Sequence, residues 1–312
     1  MMRVRRFFRQ LVSLTALGGV LAGGSALLLG LRAPAPVRTR VAVADTALGD
    51  SAPDLSAYLG RSGQLRAIEY RADSTPALIA ALVPFLAGRG PGLHATGLSA
   101  PDGGPIHALA LLPLSAKRGA AWQGYRIGFW PGERAGRQAR YPLPAGFLEV
   151  TPDNADVPLS THFRVRDFLT KDQPAVWPKV LVIELPLLDK LELIALELET
   201  LGKPSSLRVM SGFRTPQYNA RGVGAKGGRA RDSQHMYGGA ADIFVDADGD
   251  GRMDDLDGDG RVTVRDAGWL AGVAERVEAA HPGVVGGIGI YRATAAHGPF
   301  VHVDVRGTAA RW

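Results

Sequence analysis

Three residues able to hold a metal ion recur in the carboxyl-terminal part of the chain: His235 and Asp242, seven positions apart, and His302 in the segment PFVHVDVRG. Two imidazoles and one carboxylate make a three-ligand set for Zn2+, with the fourth position left to water. A histidine and an aspartate at that spacing are, taken alone, more common as satisfied surface groups than as ligands. Here they keep company. SGFR at 211–214, SQH at 233–235, AADI at 240–243 and HVD at 302–304 follow one another in order. The stretch from Ser211 to Asp246 reads as a turn with a fixed arginine, a glycine-rich loop, and a ligand pair on a loop that enters a strand. Asp304 lies two residues after His302, hence on the same face of a strand carrying both, where it is placed to orient a ligand imidazole.

The segments SGFRTPQYN, SQHMYGGAADI and PFVHVDVRG resemble the zinc D-Ala-D-Ala peptidases of the hedgehog/DD-peptidase fold, in particular murein peptidases ending in HxDVRG…RW. The likeness covers roughly the last half of the chain. It implies that His235, Asp242 and His302 are zinc ligands, and that Arg214 and Ser233 hold the carbonyl or carboxylate of a peptide. Arg214 suits that role chemically. Negative charge builds on a peptide carbonyl oxygen under attack, and a guanidinium fixed beside the metal stabilises it, or grips a terminal carboxylate through two parallel hydrogen bonds. Outside SGFR, a surface ion pair would be the default reading. The general base departs from one pattern of the family. Some members place a glutamate three residues before the last ligand, where this chain has Pro299; others place a histidine five before it, which here is His297. His297 is therefore the candidate acid/base group, an exposed loop histidine being the plainer alternative.

Between Asp242 and the last long helix lies an acidic insertion, 246–266, DADGDGRMDDLDGDGRVTVRD. Asp255, Asp257, Asp259, Gly260, Arg261 (through its carbonyl) and Asp266 match positions 1, 3, 5, 6, 7 and 12 of a calcium loop, with Val262 as the apolar residue at position 8. Position 12 is Asp, as in dockerin-like loops. Asp246, Asp248, Asp250 and Gly251 begin a second such loop nine residues earlier, sharing Asp255 and Asp257 with the first. The bland reading is a solvated acidic turn; glycine at the sixth position twice favours Ca2+.

These residues need elements to position them. SLRVM reads as a buried strand that delivers SGFR at its end. LLDKLELIALELETL, 187–201, has apolar residues at helical spacing and acidic residues on the opposite face, with Gly202 and Pro204 to stop it. STHFRVRDFL, from 160, resembles the opening segment of the same peptidases, in which an aromatic pair packs the first helix onto the core. His162 in it reads as structural rather than as a ligand. Upstream, 64–150 reads as a β-rich region from LRAIEYRA, HALALLPL, GYRIGFW and PAGFLEVTP, and TPALIAALVPFL as a short helix broken by Pro84. The expected fold class is α+β: a small antiparallel sheet with flanking helices over 151–312, preceded by the β-rich region of 59–150, whose role the sequence does not state.

Composition bounds the rest. With 312 residues there is ample material for a core, and with no cysteine neither disulfides nor thiolate metal sites are available. A net charge of +6 favours an anionic partner such as peptidoglycan or a membrane surface. No basic helix interleaved with aromatics points to nucleic acid. Arg3, Arg5, Arg6 and Arg9 precede an uncharged run, 11–31, long enough to cross a bilayer as one helix. That order places the remainder outside the inner membrane, in the periplasm, with 1–31 as a signal anchor; Ala33-Pro34-Ala35 offers signal-peptide cleavage instead, and Pro36 makes a poor site of it. Residues 32–58 read as a linker. The sequence thus leads to a zinc peptidase acting on peptidoglycan stems or cross-links, as carboxypeptidase or endopeptidase. Against it stand a metal-bearing but inactive wall-binding module and a calcium-dependent wall-adhesion protein working through 59–150.

Overall fold

The computed structural model of the protein describes residues 54–71, 74–136, 140–224 and 228–312. The expected anchor over 11–31, the cleavage alternative and most of the linker lie outside the described residues. Within the described residues, no helix is long and apolar enough to cross a membrane.

The fold is α+β. Strand β1 (Ala67–Tyr70) leads to helix α1 (Pro76–Leu86), then to strands β2 (Gly92–Ser99) and β3 (Pro105–Ala110). These form a three-stranded sheet in the order β1-β3-β2, in which β1 and β3 run parallel and β2 antiparallel. Helix α1 starts where Thr75 Oγ1 accepts the Leu78 N–H and Pro76 supplies the fixed φ of a first helical turn. It is not broken at Pro84, as the sequence suggested, but runs through to Leu86. The proline falls in the last turn, where its missing N–H deprives only the Ala80 carbonyl of a helical bond. Leu55, Leu59, Ile68, Leu82 and Ile106 bury a small core here. Residues 54–58, expected at the end of the linker, supply Leu55 to that core and a 3-10 turn at Ser56–Tyr58.

A short ladder follows, β4 (Ala121–Trp122) with β5 (Tyr125–Arg126), then β6 (Leu148–Val150), which pairs antiparallel with β7 (Lys179–Leu181). The HFRVRDF stretch makes a 3-10 turn, Val165–Phe168, seated by an aromatic pair: Phe163 and Phe168 meet edge to face at 5.9 Å, both buried. Helix α2 (Leu185–Thr200) is followed by β8 (Leu207–Ser211), the short helix α3 (Pro216–Ala220), β9 (Ala240–Val245), helix α4 (Val264–Ala280), β10 (Gly287–Tyr291), β11 (Phe300–Asp304) and β12 (Ala310–Arg311).

The main sheet has the order β12-β10-β11-β9-β8 and is antiparallel except where β12 pairs parallel with β10. Helix α4 packs on β10 and β11, and α2 packs on α4. Alternation along the strands sends Ala241, Ile243, Val245, Val301 and Val303 into the core shared with the helices, leaving Asp242 and His302 to the other face. That core also takes in Leu65, Leu109, Tyr125, Trp130 and Phe147, so the β-rich region and the carboxyl-terminal half share one hydrophobic interior, and 51–312 form one compact unit.

The first half of the polar face of α2 does not face water. Asp189, Lys190 and Glu192 are buried, each against a defined partner. Asp189 accepts the Arg61 and Ser62 backbone N–H groups at 2.9 Å each. Lys190 Nζ donates to Glu278 Oε1 at 2.5 Å and to the Asp304 carbonyl at 2.8 Å. Glu192 Oε2 lies 2.7 Å from His162 Nδ1.

Candidate metal centre

Antiparallel register sets the centre. His302 on β11 stands directly opposite Asp242 on β9, which in turn stands opposite Ser211 on β8, while Gly289 of β10 flanks His302 on its other side. Directly paired residues place their side chains on one face, about 5 Å apart at Cβ. His235 comes from a different direction, on the 3-10 turn Gln234–Tyr237 that precedes β9.

The three side chains converge. His235 Nε2 lies 3.2 Å from His302 Nδ1 and 3.2 Å from Asp242 Oδ1, and His302 Nδ1 lies 3.1 Å from the same oxygen. The outward-facing atoms are all occupied. His235 Nδ1 donates to the Gly212 carbonyl at 2.7 Å, and since a carbonyl can only accept, the proton sits on Nδ1 and the lone pair on Nε2. His302 Nε2 pairs with Asp304 Oδ2 at 3.0 Å. Asp242 Oδ2 is taken by the Arg214 guanidinium. Acceptor atoms from three buried residues thus face one another with no donor from the neutral rings between them, an arrangement that needs a cation or a proton at its centre.

The electrostatics follow. Burial pushes the His235 pKa down to about 4, so this ring stays neutral. Burial also works against protonation of His302, but its hydrogen bonds to Asp242 and Asp304 outweigh it and raise the pKa. Burial works the other way on Asp242, yet the neighbouring histidines and Arg214 hold its carboxyl well below the usual range. The group would fit a metal ion: ligands bound at about 2.0–2.1 Å in a tetrahedron stand roughly 3.3 Å apart, close to the 3.1–3.2 Å edges found here. The triad His235, Asp242 and His302 could therefore hold a metal ion.

The supports are close-packed. The SGFR turn is strapped to the 165–170 segment: Phe213 N donates to the Phe168 carbonyl at 2.9 Å and Thr170 Oγ1 to the Phe213 carbonyl at 2.9 Å. A Cβ at Gly212 would lie 2.7 Å from Phe168 Cα, so only glycine lets this turn approach. Arg214 is fixed by its Nε bond to Ser211 Oγ at 2.9 Å and by its backbone N–H on the His235 carbonyl at 3.0 Å. Asp304 is wholly buried. It receives the Gly287 N–H at 2.7 Å and a two-pronged Arg306 guanidinium, so it orients His302 and does not face the cleft. At Gly289 a Cβ would lie 2.4 Å from the Trp312 indole, which lies over the sheet 5.2 Å from the His302 ring.

The triad opens on a cleft of about 1160 Å³. Arg214, Ser233 and His297 all line it, so the structure brings together every side chain singled out for peptide chemistry except Asp304. His297 Nδ1 donates to the Gly298 carbonyl at 2.8 Å, which leaves Nε2 as the ring nitrogen open to a further bond. Cationic groups line the same cleft at Arg140, Lys171, Arg229, Arg292 and Arg306.

Three contributors were missed from sequence. Trp130 donates from Nε1 to the Met236 carbonyl at 2.7 Å and so holds the turn that bears His235; nothing in the sequence joins positions 106 residues apart. Arg306 and Trp312 carried a signal, in the VRG and RW of the terminal motif, that was read as a family mark and not as a structural one. The calcium-loop residues divide. Asp255, Asp257 and Asp259 come together, as do Asp246, Asp248 and Asp250. Asp266 joins neither group. Its oxygens accept the Leu256, Asp257 and Thr263 N–H groups, the last in a capping box with Thr263 at the start of α4. Arg261 contributes a backbone N–H to Asp259 Oδ1 at 3.0 Å. Comparison of the chain with protein-family models, curated proteins and solved structures finds no match.

Proposed function

We propose that this chain is a zinc peptidase of hedgehog/DD-peptidase type that hydrolyses peptide bonds in peptidoglycan stems or cross-links, on the outer side of the inner membrane. The observation that carries the reading is the triangle of His235 Nε2, His302 Nδ1 and Asp242 Oδ1 with 3.1–3.2 Å edges, each residue tied behind by a separate partner and open to one cleft. Two imidazoles and a carboxylate suit zinc, and their outer hydrogen bonds fix the tautomers that such ligation needs. Bound there, zinc would polarise a carbonyl and lower the pKa of a water molecule to near 7.

The chain's own residues do the rest. Arg214 keeps a fixed positive charge beside the centre, where a substrate's carbonyl oxygen gains negative charge or its terminal carboxylate comes to rest. Ser233 offers a hydroxyl on the same wall. His297, with its proton held on Nδ1, has Nε2 to take a proton from the attacking water and return it to the leaving amine. The cationic lining fits substrates rich in carboxylates, as peptidoglycan stems are.

The test uses the full chain. We expect about one Zn2+ per chain, lost in both His235→Ala and His302→Ala, and release of peptide fragments from muropeptides followed by mass spectrometry. Undiminished zinc in both variants would sink the metal assignment. Zinc with no turnover of any muropeptide would point instead to a wall-binding module.

A further inference from the structure

The two aspartate triads of the insertion differ in what their oxygens meet. In the later one, Asp255 accepts the Gly258, Asp259 and Gly260 N–H groups, at 2.8, 3.2 and 2.7 Å. Arg265 supplies that triad with a positive charge, its Nε 3.2 Å from Asp257 Oδ2 and its guanidinium 3.0 Å from Asp259 Oδ2. With Asp266 bonded to backbone, the residue expected to close a loop there is spent as well.

In the earlier triad Asp248 Oδ1 accepts the Asp250 N–H at 3.1 Å and Asp250 Oδ1 the Arg252 N–H at 2.8 Å, and the difference lies at Asp246. Asp246, which directly follows β9, is 4% exposed, and its Oδ1 is buried with no hydrogen-bond partner among the described residues. The Arg208 Nε stands 3.6 Å from its other oxygen, beyond hydrogen-bonding distance, on a side chain that is 59% exposed. Asp248 and Asp250 each bring an oxygen within 4.8 Å of one from Asp246. Leaving a buried carboxylate oxygen without a donor is costly, and two further carboxylates at this distance add repulsion instead of relief. A cation removes both penalties. Ca2+ binds oxygens at 2.3–2.6 Å, so two oxygens on one ion stand at most about 5 Å apart, a limit the cluster meets.

We propose that Asp246, Asp248 and Asp250 form a calcium site at the end of β9. It is independent of the zinc-peptidase reading, since it rests on other residues and needs no turnover to be seen. Its place in the fold gives it a consequence. The loop folds back on the strand, with Asp254 N–H on the Val245 carbonyl at 2.9 Å and Asp254 Oδ2 accepting the Ala247 N–H at 2.8 Å. An ion held by Asp246 pins the end of the strand that carries Asp242 four residues earlier.

The full chain, stripped of metal and given back one equivalent of zinc, is titrated with CaCl2 by calorimetry and by thermal melting. We expect one calcium per chain and a Tm that climbs with calcium concentration, because a ligand bound only by the folded state stabilises it. Asp246→Asn and Asp248→Asn each weaken binding by roughly tenfold or more, since ligand charge sets affinity in such loops, whereas Asp259→Asn leaves it unchanged. Asp248 is exposed, so its variant folds even if burial makes Asp246→Asn fail. No calcium response in the wild type would overturn the proposal, as would full binding by both Asp246→Asn and Asp248→Asn, loss confined to Asp259→Asn, or an equal response to MgCl2.

Discussion

The two sheets are held by different means. The three-stranded sheet packs α1 over a small core of Leu55, Leu59, Ile68, Leu82 and Ile106, and its ion pair Arg66–Asp102 buries the guanidinium but leaves the Asp102 side chain 48% exposed. Behind the five-stranded sheet both partners of a pair are buried. Lys190 and Glu278 meet with side chains 0% and 4% exposed, and the same network reaches Asp304, which orients His302. A buried ion pair is a poor source of net stability, because desolvating two charges offsets most of their attraction. Its geometry is nevertheless demanding, as each charge must keep its partners or stand unpaired in the interior. The contrast suggests a division: apolar packing supplies stability in the first sheet, and buried polar bonds fix positions in the second.

Breaking that division where it is strongest gives the largest effect. Glu278→Ala strands the Lys190 ammonium and removes the acceptor of the Gly286 N–H. Stability should fall by about 3–5 kcal/mol in denaturant titration, and affinity for a metal ion at the triad should fall with it. The double replacement Lys190→Met with Glu278→Leu, which removes both charges but leaves the Gly286 N–H and the Arg311 guanidinium without their acceptor, should recover part of the stability but not the affinity. Recovery of both would mean that the pair positions nothing.

The counterpart in the first sheet is Leu82→Ala. A buried leucine cut to alanine costs about 2–5 kcal/mol, and metal affinity measured on the remaining folded protein should not move. A shift in metal affinity comparable to that of Glu278→Ala would erase the distinction between the two sheets.

Trp130 sits at the junction and sharpens the comparison. Trp130→Phe keeps a ring in the core but leaves the Met236 carbonyl without its donor, a loss of about 1–3 kcal/mol. Because Met236 follows His235, affinity for a metal ion at the triad should drop beyond what the stability loss explains. A variant destabilised but otherwise normal would make Trp130 plain core.

How much of this was legible in the sequence follows from range. The triad was readable because histidine and aspartate are metal-ligand types and lie here in compact motifs, SQH, AADI and HVD. The strand into SGFR and the helix over 187–201 were readable from period. The fate of that helix's polar face was not. Periodicity sorts apolar from charged positions and assigns the charged ones to water, whereas Asp189, Lys190 and Glu192 found partners 30 to 128 residues away. Strand β2 was missed because GLHATGLS carries two glycines and little apolar alternation; it is made by pairing with β3, not by its own pattern. Trp130, which reaches Met236 across the molecule, had no local signal at all.

The smallest expected effect tests one of those hidden pairs. His162 Nδ1 lies 2.7 Å from Glu192 Oε2, and Glu192 Oε1 accepts the His162 N–H at 2.9 Å. The bond to Glu192 raises the histidine above its ordinary 6.5, against the opposing pull of burial. A group raised in the folded state contributes stability that is fully present below its unfolded value and disappears as pH rises through the folded one. Wild type should therefore exceed His162→Gln in Tm by more at pH 5.5 than at pH 9, where the ring is neutral in both states. The other histidines titrate in both proteins and cancel in the difference. With the imidazole 31% exposed the contribution is modest, under about 1 kcal/mol. A difference in Tm that does not change with pH would mean that Glu192 merely accepts a hydrogen bond from a neutral ring.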